Sequence, residues 1–197
     1  MPAHAHIDPG HVDLVPIFLS GGSELLRRLA GAIERTFDLP AEVHPPWFDP
    51  ESAFDPARGQ YDSTRLLAAL RTSPRPGAAR VVGVAAVDLF VPVLTYVFGE
   101  AQLGGRAAVL STHRLRPEAY GLPPDDDLVA ERAEKEALHE LGHTWGLRHC
   151  HEPECVMRAS TYVEEIDLKP AGLCERCLEA VRGQSAPQAA GIRTGTT

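Results

Sequence analysis

The sequence predicts an α/β domain, and three features carry that prediction. From Val12 to Phe18, apolar positions alternate with others, as along a strand. Leu25, Leu26, Leu29 and Ile33 then fall on one face of a helix. Arg80 to Asp88 is a continuous run of small and β-branched apolar residues, the pattern of a strand covered on both faces. Strand and helix patterns therefore alternate along the chain, which a helical bundle would not do.

In chain order, Val12–Phe18 is the first strand, and Ser23 is placed to cap the helix that follows. Pro40 to His44 reads as a short strand closed by Pro45-Pro46, and a polar loop rich in turn formers runs from Trp47 to Tyr61. Asp62 or Ser63 caps a second helix through Leu66, Leu67 and Leu70. After the Arg80–Asp88 strand, Tyr96-Val97-Phe98 reads as another short strand and Gly104-Gly105 as a turn. Arg106 to Thr112 is a further strand. Asp125-Asp126-Asp127 favours the positive end of a helix dipole, so a long helix is expected over about 127–145. The pattern is irregular beyond Gly146, with one short final helix from Cys174 to Arg182. Residues 1–182 are thus expected to form a single domain, and the small polar residues 183–197 a disordered tail.

A chain of 197 residues can bury roughly 70% of its unfolded surface, so a core does not require disulfides. The 19 Lys and Arg are outnumbered by 27 Asp and Glu, a formal charge of −8, which argues against a broad grip on nucleic acid or anionic lipid. The most apolar run, Val81 to Gly99, contains Asp88 and Pro92 and suits buried strands better than a membrane span. Met1 to His6 lack the basic and apolar regions of a secretory signal, so a cytoplasmic location is expected; separately, the chain is expected to be a monomer.

The chemistry concentrates in His139-Glu140-Leu141-Gly142-His143-Thr144-Trp145-Gly146-Leu147-Arg148-His149. On a helix, His139 and His143 lie one turn apart and can reach one metal ion. Glu140 is beside them, placed to accept a proton from water. Gly146 can take positive φ and end the helix, which brings His149 back as a third nitrogen ligand. Three neutral imidazoles leave a fourth position for water, the requirement of a catalytic zinc. The opposing reading is a surface helix with unconnected histidines; the added glycine and third histidine weigh against it.

Cys150, Cys155, Cys174 and Cys177 are every cysteine of the chain. The tight Cys174-Glu175-Arg176-Cys177 pair and the wider Cys150–Cys155 pair have zinc-knuckle spacing, and four thiolates would close a structural zinc site. Buried or redox-active thiols are the alternative. His151 can replace one sulfur in principle and is read as a spare surface histidine.

These residues resemble the metzincin zinc peptidases, and His149-Cys150-x₄-Cys155-Val156-Met157 followed by Cys174-x-x-Cys177 is similar specifically to the archaemetzincins. Softer likeness extends to Arg58-Gly59-Gln60-Tyr61, Asp88-Leu89-Phe90 and Phe98-Gly99-Glu100-Ala101. The resemblance implies a metzincin-like zincin fold: a twisted mixed sheet with an antiparallel edge strand, a backing helix, an active-site helix and a zinc-stapled segment over 150–177. It implies that Met157 is the Met-turn methionine beneath the metal. It further implies an edge strand along which an extended peptide adds, for which Ala107, Ala108, Val109 and Leu110 are the expected residues.

The expected activity is zinc-dependent hydrolysis of peptide bonds in a peptide or protein substrate, with one catalytic and one structural zinc per chain and Glu140 as general base. The rival is a non-catalytic, zinc-binding regulatory or interaction protein on the same fold; a purely structural three-histidine site would have no use for Glu140. Nucleic-acid binding through the four cysteines lacks an Arg/Lys–aromatic run beside them. His4, His6 and His11 read as a mobile terminus rather than a metal tail, and His113 and Arg114 as a strand end or a substrate contact. Tyr162 is not assigned to the metal.

Overall fold

The computed structural model describes residues 10–73 and 75–185. The chain forms β1 (His11–Ile17), α1 (Ser23–Phe37), β2 (Ala41–Val43), β3 (Phe54–Asp55), β4 (Gln60–Asp62), α2 (Ser63–Leu70), β5 (Ala78–Ala85), β6 (Leu89–Phe90), β7 (Gly99–Ala101), β8 (Ala107–Ser111), α3 (Asp126–Thr144), α4 (Val163–Asp167) and α5 (Glu175–Ser185). A five-stranded sheet has the order β2-β1-β5-β8-β7, parallel except for β7, which runs antiparallel to β8. A small sheet, β3-β4-β6, lies beside it.

Period-two alternation assigns each face of the large sheet to a different partner. Val12, Leu14, Val82, Val84, Ala108 and Leu110 share one buried cluster with Leu29 and Ile33 of α1 and Ala137, Leu138 and Leu141 of α3. Val15, Ile17, Val81, Ala107 and Val109 cluster with Leu66, Leu67 and Leu70 of α2 on the other face. Both faces are therefore covered, as βαβ connections require.

Several expectations need correction. Ala107 to Leu110 do not form the edge. Strand β8 is buried along its whole length and lies between β5 and β7. Its unbroken small and apolar run, Ala-Ala-Val-Leu, is that of a strand covered on both faces. The antiparallel edge is β7, three half-buried residues. The strand expected at Tyr96–Phe98 is reduced to one bridge, Val97 to Leu89, and the ladder begins at Gly99. The loop from Trp47 to Tyr61 contains β3, most of β4 and a 3₁₀ turn at Pro50–Ala53.

Strand β1 does not expose alternate residues either: Asp13 is wholly buried and its carboxylate meets Arg75 Nε at 3.2 Å. His11 is the first residue of β1 rather than part of a loose terminus, while His4 and His6 lie outside the described residues. Helix α5 continues through Gly183 to Ser185, three residues into the expected tail; the tail from 186 onwards lies outside the described residues. Among the described residues, no helix is long and apolar enough to cross a membrane.

The small sheet braces the segment Leu94–Tyr96. Arg114 grips Asp88 with two hydrogen bonds (2.9 and 2.6 Å), Gln60 donates to the same carboxylate at 2.9 Å, and Arg58 donates to the Leu94 and Thr95 carbonyls at 2.8 and 3.1 Å. Burial opposes ionisation of Asp88, but Arg114 and Gln60 outweigh it and hold the carboxyl below its ordinary range. Arg114 is thus committed to Asp88 and to the Tyr96 ring, 4.7 Å from its guanidinium carbon, rather than to a free strand end.

Candidate active site

Helix α3 positions the site, and its ends explain why it sits where it does. Asp125 accepts from the Leu128 N–H at 2.9 Å, and Asp126 and Asp127 fill the first turn, so the amino terminus is capped and charge-matched. At the other end Gly146 takes φ of 74°, and its N–H bonds to the His143 carbonyl at 2.8 Å. That left-handed residue reverses the chain and returns His149 towards the helix.

The three imidazoles converge. Ring centroids are 4.7 Å apart for His139 and His143, 5.3 Å for His139 and His149, and 5.2 Å for His143 and His149. Each offers a nitrogen within 4.8 Å of the others. His139 Nδ1 is 2.9 Å from the Val156 carbonyl oxygen and His143 Nδ1 is 2.7 Å from that of Leu147. A carbonyl only accepts, so both Nδ1 atoms carry the proton and both Nε2 atoms carry lone pairs. Those two lone-pair atoms lie 3.1 Å apart. Neutral lone pairs repel at that distance, whereas a cation between them satisfies both; the spacing is close to the roughly 3.3 Å that two 2.0–2.1 Å ligand bonds give in a tetrahedron. Burial first, and Lys169 second, push His139 well below the ordinary imidazole range, and burial also lowers His143. Both favour the uncharged form that a metal takes.

Glu140 is buried beside the triad. Burial foremost, then the Glu136 carboxylate, raises its affinity for a proton well above the ordinary carboxyl range, with Lys169 acting in the opposite sense. Two glycines make room for this arrangement. A Cβ at Gly142 would lie 2.5 Å from Met157 Sδ, so the fully buried Met157 packs directly under the helix between His139 and His143. A Cβ at Gly99, on the β7 edge, would lie 2.6 Å from Glu140 Cγ, 2.7 Å from Glu140 Oε1 and 2.7 Å from the Val109 carbonyl. Gly99→Ala is therefore expected to displace Glu140 and lower turnover by about 10²-fold with bound zinc unchanged. Steady-state kinetics beside metal analysis checks this, and undiminished turnover would refute it.

The four cysteines also converge, each sulfur within 4.8 Å of the others and none in a disulfide. The 3.9 Å between Cys150 and Cys174 Sγ is far too long for an S–S bond and close to the roughly 3.8 Å between two sulfurs on one zinc. Burial works against ionisation of Cys150, yet the Glu152 N–H and the Arg176 guanidinium, 3.3 Å away, bring it down to about 7. Burial pushes Cys177 up. His151 is exposed and stands outside the four-sulfur group.

A cleft of about 900 Å³ runs past the triad. Edge residues Gly99 to Ala101 form one wall and Ala159 to Tyr162 another, with Tyr162 63% exposed. Its floor holds an ion pair that the sequence did not announce, Lys169 to Glu136 at 2.9 Å, with side chains 1% and 4% exposed. Glu136 lies one turn before Glu140 on the same helix face, which is a readable signal; Lys169 comes from the segment after Met157 and had none. His113 does not line the cleft.

Two histidines and a glutamate on one helix, joined by a third histidine returned past the helix end and set under the antiparallel edge of a mixed sheet, define a zinc metallopeptidase. A family model described as "Peptidase family M54" matches residues 49–183. An archaemetzincin of Methanocaldococcus jannaschii is 41% identical over 159 residues, covering 81% of this chain and 86% of that one. The crystal structure of the Methanopyrus kandleri archaemetzincin superposes with a TM-score of 0.78 at 34% identity, covering 91% of this chain and 98% of that one. That of Archaeoglobus fulgidus, complexed with malonate, gives 0.72 at 34% identity, covering 86% and 99%. The chain belongs to peptidase family M54, the archaemetzincins.

Proposed function

We propose that the chain hydrolyses peptide bonds at His139, His143 and His149 with Glu140 as general base, and that Cys150, Cys155, Cys174 and Cys177 hold a second, structural zinc. The reading rests most on the tautomers: two carbonyls fix Nδ1–H on His139 and His143 and leave unprotonated Nε2 atoms 3.1 Å apart. When bound, zinc supplies Lewis acidity that polarises a carbonyl and makes water more acidic. Glu140 then accepts the proton of the attacking water and delivers it to the leaving amine. Its burial suits that role, because a carboxylate short of solvent is a stronger base. Residues Gly99 to Ala101 offer the substrate backbone an open strand edge, in place of Ala107 to Leu110. Met157 supports the helix from below. The family match over residues 49–183 supports the single domain expected over residues 1–182.

Digestion of a complex peptide library by zinc-loaded protein, read by mass spectrometry, tests the activity. Cleavage with a reproducible residue preference supports it. No cleavage by protein carrying two zinc ions per chain would refute it.

A further inference from the structure

Five charged groups other than histidine line the cleft: Glu100, Glu136, Glu140, Arg148 and Lys169. Four are accounted for. Glu136 and Lys169 neutralise each other. Glu100 accepts hydrogen bonds from Ser63 and from Thr64 Oγ1 at 3.0 Å, on helix α2. Glu140 is the buried base. Arg148 differs: it is exposed, adjoins His149 in sequence, and pairs with no carboxylate among the described residues. The chain as a whole is acidic, so an exposed guanidinium with no carboxylate partner among the described residues stands out at the cleft wall.

We infer that Arg148 sets a charge preference in the cleft, favouring substrates with an aspartate or glutamate side chain among the three residues before the cleaved bond; the inference rests on the peptidase reading above. A guanidinium meets a carboxylate with two parallel N–H donors, which is both attractive and geometrically selective. The fold also gives the side of the bond. β7 runs from Gly99 to Ala101 into the turn at Gln102–Gly105, where the Gly104 N–H bonds to the His143 carbonyl at 2.9 Å, at the end of α3 that leads to Arg148. A peptide added antiparallel to β7 enters from that turn, so its amino-terminal part lies at the Leu103 end of the cleft, the end to which the Gly104–His143 bond ties the helix terminus that leads to Arg148.

The test uses matched peptides carrying Glu, Gln or Lys at each of the three positions before the cleaved bond. Zinc-loaded wild type is expected to favour Glu over Gln in kcat/KM by about 5-fold at low salt, the upper range for an exposed ion pair, and less at high salt. Arg148→Ala should bring the Glu/Gln ratio to about 1, and Arg148→Glu should favour Lys instead. In parallel, fluorescence anisotropy measures binding of the same peptides to zinc-loaded Glu140→Gln protein with and without Arg148→Ala, with zinc content and circular dichroism as controls for folding. An unchanged Glu/Gln ratio in Arg148→Ala, or equal binding of the Glu and Gln peptides, overturns the inference. If the wild type cleaves no peptide, the peptidase reading fails, and anisotropy alone decides: tighter binding of the Glu peptide that disappears with Arg148 upholds the charge preference, whereas equal or absent binding overturns it.

Discussion

Replacing Glu140 with alanine is expected to leave the metal content unchanged and to lower turnover by at least about two orders of magnitude. The three candidate ligands come from His139, His143 and His149, and none depends on the Glu140 side chain for its tautomer: Val156 and Leu147 perform that task for the first two. Removal of the carboxylate deletes the one buried base beside the triad, because Glu136 is neutralised by Lys169 and Glu100 is turned towards α2. Inductively coupled plasma analysis of zinc and steady-state kinetics on one preparation separate the two effects. Full turnover with zinc retained would exclude Glu140 as the base; loss of zinc would mean that its carboxylate helps to hold the metal.

The second large effect is expected at Cys155. This sulfur is fully buried, and it accepts the Cys174 N–H at 3.4 Å, so it joins the two halves of the cysteine cluster. Cys155→Ser should lose one zinc per chain and lower Tm by on the order of 10 °C, since structural zinc contributes several kcal/mol or more of folding free energy. The damage should not stop there. Val156, the next residue, provides the carbonyl that orients His139, and Met157 packs beneath the helix. Catalytic zinc affinity should therefore fall by about 10–100-fold, the usual cost of losing an outer-shell partner. Calorimetry and competition with a chelator measure the two quantities; unaltered affinity at the histidines would show that the clusters are independent.

What the sequence revealed and concealed follows from how far apart the cooperating residues lie. His139, Glu140, His143, Gly146 and His149 are readable because one helix and one left-handed glycine bring them together, with no knowledge of the sheet. The cysteine pairs are readable for the same reason. The edge strand is not. Gly99 to Ala101 are too few to show alternation, and their place is decided by pairing with β8 and by Glu140 lying across Gly99. Ala107 to Leu110 have the stronger strand pattern, and that very strength marks an interior strand. Lys169 is legible only once α4 and the segment after Met157 have folded it onto Glu136. Asp13 falls on the non-apolar side of the alternation, and partners distant in sequence, Arg75 and Ser73 from the turn before β5, make its burial tolerable.

The two flanks of the large sheet are unequal in a way that governs which chains can join it. Strand β2 is three residues long and bounded by Pro40 on one side and Pro45-Pro46 on the other, none of which has an N–H to donate. The Ala41 N–H is already engaged by the Glu34 carboxylate at 3.2 Å. A stray β-segment finds almost no ladder there, which protects the molecule from edge-to-edge self-association. The opposite flank, β7, carries no proline and lines the cleft, so a guest strand that finds no ladder at β2 would be left the edge beside the histidines.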